Sequence, residues 1–152
     1  MNKNNGAISA PLDCLVMPPV LDVCCGGRMM WFNKQNPLAL FVDKRSETIR
    51  WDEDNRDRRL EIKPDVLGDF TDLPFPDSSF HLVVFDPPHL ASLGENSRTA
   101  KMYGRLFGDW HCDIAAGFKE CFRVLKPFGV LIFKWNSYDI PLPDILELAV
   151  IL

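Results

Sequence analysis

Val20–Gly27 reads VLDVCCGG, a short apolar run with one internal acid, closed by two glycines. An apolar run that ends on glycine reads as a buried strand leading into a tight turn. Four later stretches share its form. Leu38–Val42 (LALFV) ends on Asp43, and Val66-Leu67 ends at Gly68-Asp69. His81–Phe85 (HLVVF) ends on Asp86-Pro87-Pro88, and Val130–Phe133 (VLIF) runs into Lys134-Trp135-Asn136. Continuous rather than alternating apolar runs belong to strands covered on both faces, which predicts a parallel sheet in an α/β protein. Between the fourth and fifth runs, Ile114, Phe118, Cys121, Phe122 and Leu125 recur at helical spacing and predict a helix with one apolar face. Pro127 and Gly129 would stop it. A shorter, poorly patterned helix is expected over 28–33.

A chain of 152 residues suits one domain with a real core. Hydrophobic residues at 47% and charged residues at 25% argue against global disorder. A net charge of −4 excludes a wholesale basic nucleic-acid coat and leaves room for a local basic patch. No apolar run approaches the ~20 residues that span a bilayer. The opening MNKNNGAISAPLD lacks the apolar core of a signal peptide. No membrane partner and a cytoplasmic location are therefore the expectations. Cys14, Cys24, Cys25, Cys112 and Cys121 are odd in number and include no CxxC pair, so reduced and mostly buried thiols are expected, with no metal site.

Residues 1–18 read as an irregular arm and 19–152 as a single domain carrying two inserts. The first, 44–63, is dense in both signs of charge and reads as a solvated hairpin. The second, 90–110, mixes Arg98, Lys101 and Arg105 with Tyr103, Phe107 and Trp110. It reads either as a loop closing over substrate or as a helix packing its aromatic face on the core.

Asp22, Asp43, Asp69 and Asp86 stand at or just beyond the carboxyl ends of four of the five predicted strands. Ligands of open α/β sheets bind outside those ends. Asp43 follows Asp22 by 21 positions, close to the spacing of an acid that grips ribose hydroxyls. Taken singly, such acids are commonly turn formers or helix caps. Four of them beside a glycine turn point to a nucleoside-type site.

These blocks resemble class I S-adenosylmethionine-dependent methyltransferases, and more narrowly the small phage and prophage type with a DPPH signature, a variant of DPPY. The likeness covers Val20 to about Leu146: VLDVCCGG, FVD, LGDFTDLPFPDSSF, HLVVFDPPH and ECFRVLKPFGVLIF. It implies a Rossmann-like fold, a mostly parallel sheet with helices on both faces, and S-adenosyl-L-methionine as cofactor. In that pattern the backbone of Cys24, Cys25, Gly26 and Gly27 passes the methionine part, with Asp22 organising the loop. Asp43 would hold the ribose, Asp69 would accept from the adenine amino group, and Phe70 would contact the adenine ring. The family's DxGxGxG becomes Asp22-Val-Cys-Cys-Gly-Gly-Arg28, with cysteine for the first glycine and arginine for the third. Arg28 is a candidate to reach the methionine carboxylate.

Asp86-Pro87-Pro88-His89 resembles the [DNS]PP[YFW] motif of methyltransferases that act on exocyclic or amide amino groups. The lone pair of such an amine is delocalised, and a carboxylate and a prolyl carbonyl accepting its N–H groups would free it. The prolines fix the backbone that aims the carbonyl. In that motif the fourth residue stacks on the extruded planar substrate, here as His89. One of Lys134, Trp135 and Asn136 is expected to line the target pocket, with Trp135 in the core as the alternative.

The resemblance implies methyl transfer to a nitrogen, with an adenine amino group of DNA or RNA leading. A small-molecule methyltransferase and a non-catalytic cofactor-binding or interaction protein of phage origin are the alternatives. The family's sheet continues past the fifth strand with a helix and an antiparallel strand pair. Here Pro143–Leu152 leaves room for that helix, or for ELAVIL as one substitute strand, so the fold is expected to be shortened at its C-terminus. An uncovered fifth strand would be an exposed edge, predicting a homodimer, a partner chain or marginal stability.

Overall fold

The computed structural model describes residues 17–94 and 96–150. In chain order its elements are β1 (Val20–Asp22), β2 (Ala39–Asp43), β3 (Glu47–Glu53), β4 (Arg56–Ile62), β5 (Val66–Leu67), β6 (Phe80–Phe85), α1 (Arg98–Tyr103), α2 (Trp110–Val124), β7 (Leu125–Phe133) and α3 (Leu142–Ala149). The protein is α/β. The five apolar runs form one five-stranded parallel sheet in the order β5-β2-β1-β6-β7, and β3 pairs with β4 in a separate antiparallel sheet. The chain builds outward from β1 through β2 to β5 and then returns to the other side with β6 and β7. Strand order thus reverses between β1 and β6.

Register assigns the two sheet faces. Leu21 pairs with Leu40 and Val83, Val83 with Leu131, and Phe85 with Phe133, so these side chains share a face. That face packs on Ile114, Phe118, Cys121 and Val124 of α2 and Ile145 of α3, forming the main core. Each fully buried side chain of this size contributes about 1.5–3 kcal/mol. Phe85 is the pivot, with Phe70 and Phe118 edge-on at 5.4 and 5.3 Å between ring centres. Gly117 lets α2 approach: a Cβ there would lie 2.7 Å from Phe85 Cζ and 2.8 Å from Phe70 Cδ2.

The α2 helix buries Ile114, Phe118 and Cys121 as expected and departs from the expected face in its last turn. Val124 is fully buried while Phe122 is 47% exposed, and Leu125 already belongs to β7. Pro127 cannot continue a helix and disfavours helical geometry at Lys126. The chain turns extended at Leu125 (φ −71°, ψ 135°). Residues 126–129 then bulge between the Phe80–Leu125 and Leu82–Val130 rungs, so the regular pairing of β7 is Val130–Phe133.

The expectation of helices on both faces is corrected: among the described residues the second face carries none. Residues 28–33 form turns rather than a helix, because Arg28 is left-handed (φ 54°) and the Trp31 indole is tied to Asp22. Trp31 instead lies edge-on to Phe41 at 5.1 Å and, with Cys25, Ala39 and Val20, covers the β1–β2 part of that face. Val130 and Ile132, on the β7 part, stay 55% and 44% exposed.

The ELAVIL strand is also corrected. Glu147–Ala149 is the last turn of α3, whose Ile145 is fully buried, while residues 151–152 lie outside the described residues. Among the described residues β7 is an edge strand. Of the expected arm, 1–16, with Cys14, lies outside the described residues. The other four cysteines are free, and Cys112 is exposed. No helix among the described residues is long and apolar enough to cross a membrane.

The 44–63 stretch is a hairpin turned by Asp54 and Asn55, both left-handed (φ 52° and 58°), a pattern suited to a two-residue primed turn. Only one of its faces is solvated. Ile49, Leu60 and Ile62 form a small core with Trp51 and with Met102 of α1.

Candidate functional site

A cleft of about 1190 Å³ opens where β1, β2 and β6 end. Ligand pockets commonly measure roughly 300–1,000 Å³, so the space suits a small-molecule ligand with room beside it. Asp22, Cys24, Cys25, Gly26, Gly27, Asp43, Phe70, Asp86, Pro87, Pro88 and His89 all line it. Of the residues expected to hold the cofactor or the acceptor amine, Asp69 is not among its walls. The Asp69 carboxylate accepts from the Thr71 amide (3.1 Å) and hydroxyl (3.0 Å), forming its own turn, with Lys44 3.7 Å away.

The loop after β1 is organised by two carboxylates. Asp22 is 2% exposed and accepts from Trp31 Nε1 at 2.7 Å and from the Cys24 amide at 3.3 Å. Burial pushes its pKa up to about 6, against the pull of those two hydrogen bonds, and the nearby charges of Asp86 and Asp43 add to the rise. Asp43 Oδ2 accepts from the Gly26 amide at 2.8 Å, while Oδ1 accepts from the Arg45 amide (2.9 Å) and Nε (3.4 Å). A carboxylate offers about four acceptor positions, so Asp43 keeps one for a ligand hydroxyl.

Gly26 is left-handed (φ 49°) and a Cβ there would meet nothing within 4 Å, so the loop leaves open space on the cleft side. Gly27 is crowded for a different reason, since a Cβ there would force the Leu60 side chain of the hairpin to shift. Burial raises both neighbouring thiols, Cys25 to about 12, which leaves them protonated at neutral pH and unsuited to nucleophilic work.

Arg28 does not face the cleft, which corrects its candidacy for a ligand carboxylate. Its guanidinium donates to the carbonyls of Lys34 (2.7 Å) and Lys63 (2.8 Å) and to Asp65 (2.7 Å), and lies 3.9 Å from the Phe41 ring centre. It staples the loop to the segment entering β5.

The tetrad follows β6. Pro87 is buried, and Pro88 sits under Gly104, where a Cβ would approach Pro88 Cγ to 2.8 Å. Asp86 Oδ2 receives the Lys134 ammonium at 2.7 Å. His89 Nδ1 lies 3.4 Å from the Pro87 carbonyl, and its ring meets Trp135 edge-on at 6.0 Å. Trp135 itself is half-buried, donates to the Ile140 carbonyl at 3.0 Å and stacks on Phe133. Lys134 and Asn136, not Trp135, line the cleft.

Sequence reasoning missed the outer wall. Both inserts meet there, as Arg98 of α1 pairs with Glu53 at 2.9 Å and lies over Trp51, and Arg45 donates to the Lys101 carbonyl at 2.8 Å. The second insert thus packs a helix, but on the hairpin rather than on the main core. The signal available was the alternation Ile49, Trp51, Leu60, Ile62, which marks one covered face of a hairpin. Lys44, Arg45, Arg50, Lys101 and Arg105 line this wall with Glu47, and Lys44, Arg45 and Arg50 are each paired with an acid, Asp69, Asp43 and Asp57. Asp139 was missed too. It accepts from the Ala91 and Ser92 amides at 2.7 and 2.8 Å and so fixes the chain just beyond His89, bonds that hold its carboxyl below the usual range.

One end of the cleft therefore offers backbone, a glycine turn and a carboxylate with one acceptor position left. The other offers a carboxylate, a prolyl carbonyl, an ammonium and an imidazole. No protein-family model matches the sequence, and no curated protein does either.

Proposed function

We propose that this protein is an S-adenosylmethionine-dependent methyltransferase with a Rossmann-like fold, transferring a methyl group to nitrogen, with an adenine amino group of nucleic acid as acceptor. One observation carries the reading: the Asp22–Gly27 loop and the Asp86–His89 tetrad open on the same cleft, across the β1–β6 boundary where strand order reverses. The cofactor end fits its expected occupant, with open space over Gly26, one acceptor position left on Asp43 and an apolar wall at Phe70.

When bound, the cofactor supplies an electrophilic methyl on a sulfonium. The chain's own residues do the rest. Asp22 holds the loop, and Asp43 receives a hydroxyl. Asp86 and a prolyl carbonyl accept the amine N–H groups, which returns the nitrogen lone pair to the reacting position. Positioning of this kind can supply several kcal/mol of the barrier, ~7–11 in the best intramolecular systems. Proton loss from the methylated amine falls to Asp86.

A second reading, cofactor binding without transfer, has one observation in its favour: Asp86 is already paired with Lys134. Cofactor titration by calorimetry, combined with radiolabelled methyl transfer onto adenine-containing DNA, RNA and a metabolite extract, separates the readings. Label in nucleic acid, lost in Asp86→Ala while cofactor affinity stays within about twofold, is the expected result. Label only in metabolites points to a small-molecule enzyme. Binding with no transfer at all supports the second reading.

A further inference from the structure

We infer that Lys134 reads the atom beside the reacting amine, so that the acceptor is a nucleobase whose amino group adjoins a hydrogen-accepting ring nitrogen. This rests on the methyl-transfer reading above and adds to it a residue that sets specificity.

The placement follows from strand register. Phe85 pairs with Phe133, and the Lys134 amide donates to the Phe85 carbonyl at 3.0 Å. Asp86 and Lys134 are therefore the next rung of two parallel strands, and their side chains leave the sheet side by side. They meet at 2.7 Å and both line the cleft. The Lys134 side chain is 53% exposed, and a pair of that kind adds little to stability. Yet the lysine sits on the carboxylate that the acceptor amine has to reach.

An acceptor that engages both groups resolves this conflict. The edge N=C–NH₂ of adenine or cytosine carries a donor and an acceptor on one carbon. The amine N–H faces Asp86 and the ring nitrogen faces Lys134, so the ammonium shifts from the carboxylate to the base without leaving the site. A protonated aliphatic amine would instead meet the ammonium as a like charge. A carboxamide presents a similar edge. The nucleobase is favoured by the cleft's size, which leaves room for a planar base and its sugar, and by Lys101 on its wall.

The test is methyl transfer by the full-length protein into oligonucleotides carrying one adenine or one 1-deazaadenine, in which C–H replaces the ring nitrogen. Cytosine and 3-deazacytosine form the matching pair where cytosine is the base accepted. A hydrogen bond from a charged donor corresponds to roughly 10- to 100-fold preference for the natural base. Wild-type protein should show that preference, Lys134→Met should bring it near parity while slowing transfer to the natural base, and Lys134→Arg should retain part of it. A merely structural lysine would slow both substrates equally and keep the ratio. An unchanged ratio in Lys134→Met overturns this inference alone. Transfer to a glutamine peptide in preference to every oligonucleotide overturns the nucleobase assignment. No transfer by wild type to any of these substrates overturns the nucleic-acid methyl-transfer reading and this inference with it.

Discussion

Replacing Asp22 with asparagine should change the pH dependence of stability, with opposite signs in acid and at neutrality. Asp22 is 2% exposed, and burial raises its pKa from the ordinary 3.8 to about 6. The folded state thus holds a proton that the unfolded chain releases earlier. The stabilisation from the neutral carboxyl is fully present below about pH 4 and is lost as pH rises through about 6. A difference near two units at 1.36 kcal/mol each makes the loss about 3 kcal/mol, a large part of a typical domain stability of about 5–15 kcal/mol. Asparagine never ionises, so it avoids that loss. It has one acceptor oxygen for two donors, the Cys24 amide and the Trp31 indole, and forfeits about 1 kcal/mol at every pH. Asp22→Asn should therefore be less stable than wild type by about 1 kcal/mol near pH 4 and more stable by about 2 kcal/mol near pH 8. Urea unfolding followed by tryptophan fluorescence, stepped across that range, measures the difference. The other carboxylates titrate in both proteins and cancel. A difference that stays constant with pH would refute the reasoning.

Other substitutions probe the remaining contacts. Gly117→Ala places a methyl 2.7 Å from Phe85 and 2.8 Å from Phe70 and should cost about 1–3 kcal/mol in chemical denaturation; an unchanged midpoint would mean that α2 has room to shift. Arg28→Ala removes the staple to Lys34, Lys63 and Asp65, and should lower stability by about 1–3 kcal/mol in the same assay. A loss of cofactor affinity at unchanged stability would instead return Arg28 to the ligand. The edge of β7, unpaired among the described residues, with Val130 and Ile132 half-exposed beside it, is the proposed surface for self-association. Sedimentation equilibrium should show dimer at high concentration and monomer for Val130→Lys, and a wild-type monomer throughout would remove that surface from consideration.

The floor of the candidate site was legible because a parallel strand buried on both faces is a run of apolar residues, and such runs stop where the backbone turns. Asp22, Asp43 and Asp86 could be placed at strand ends from spacing alone, and all three line the cleft. The last turn of α2 was not legible. Phe122, Val124 and Leu125 are all apolar, so periodicity could not tell which of them enters the main core until Pro127 had set where the helix ends.

Local sequence marked the five strands, the glycine turn after β1, the position of the tetrad after β6 and the hairpin at 44–63. These depend on hydrophobic runs, turn residues and local backbone preference, which act over a few neighbouring residues. Tertiary structure decided which groups meet. The Asp86–Lys134 pair exists because β6 and β7 pair in one particular register. The outer wall exists because α1 docks on the hairpin through Arg98 and Met102. Arg28 turns away because Asp65 and two carbonyls lie within its reach. Side chains 37 and 48 positions apart in the chain become partners through sheet pairing and core packing. Local sequence supplies the groups, and their company is a property of the folded chain.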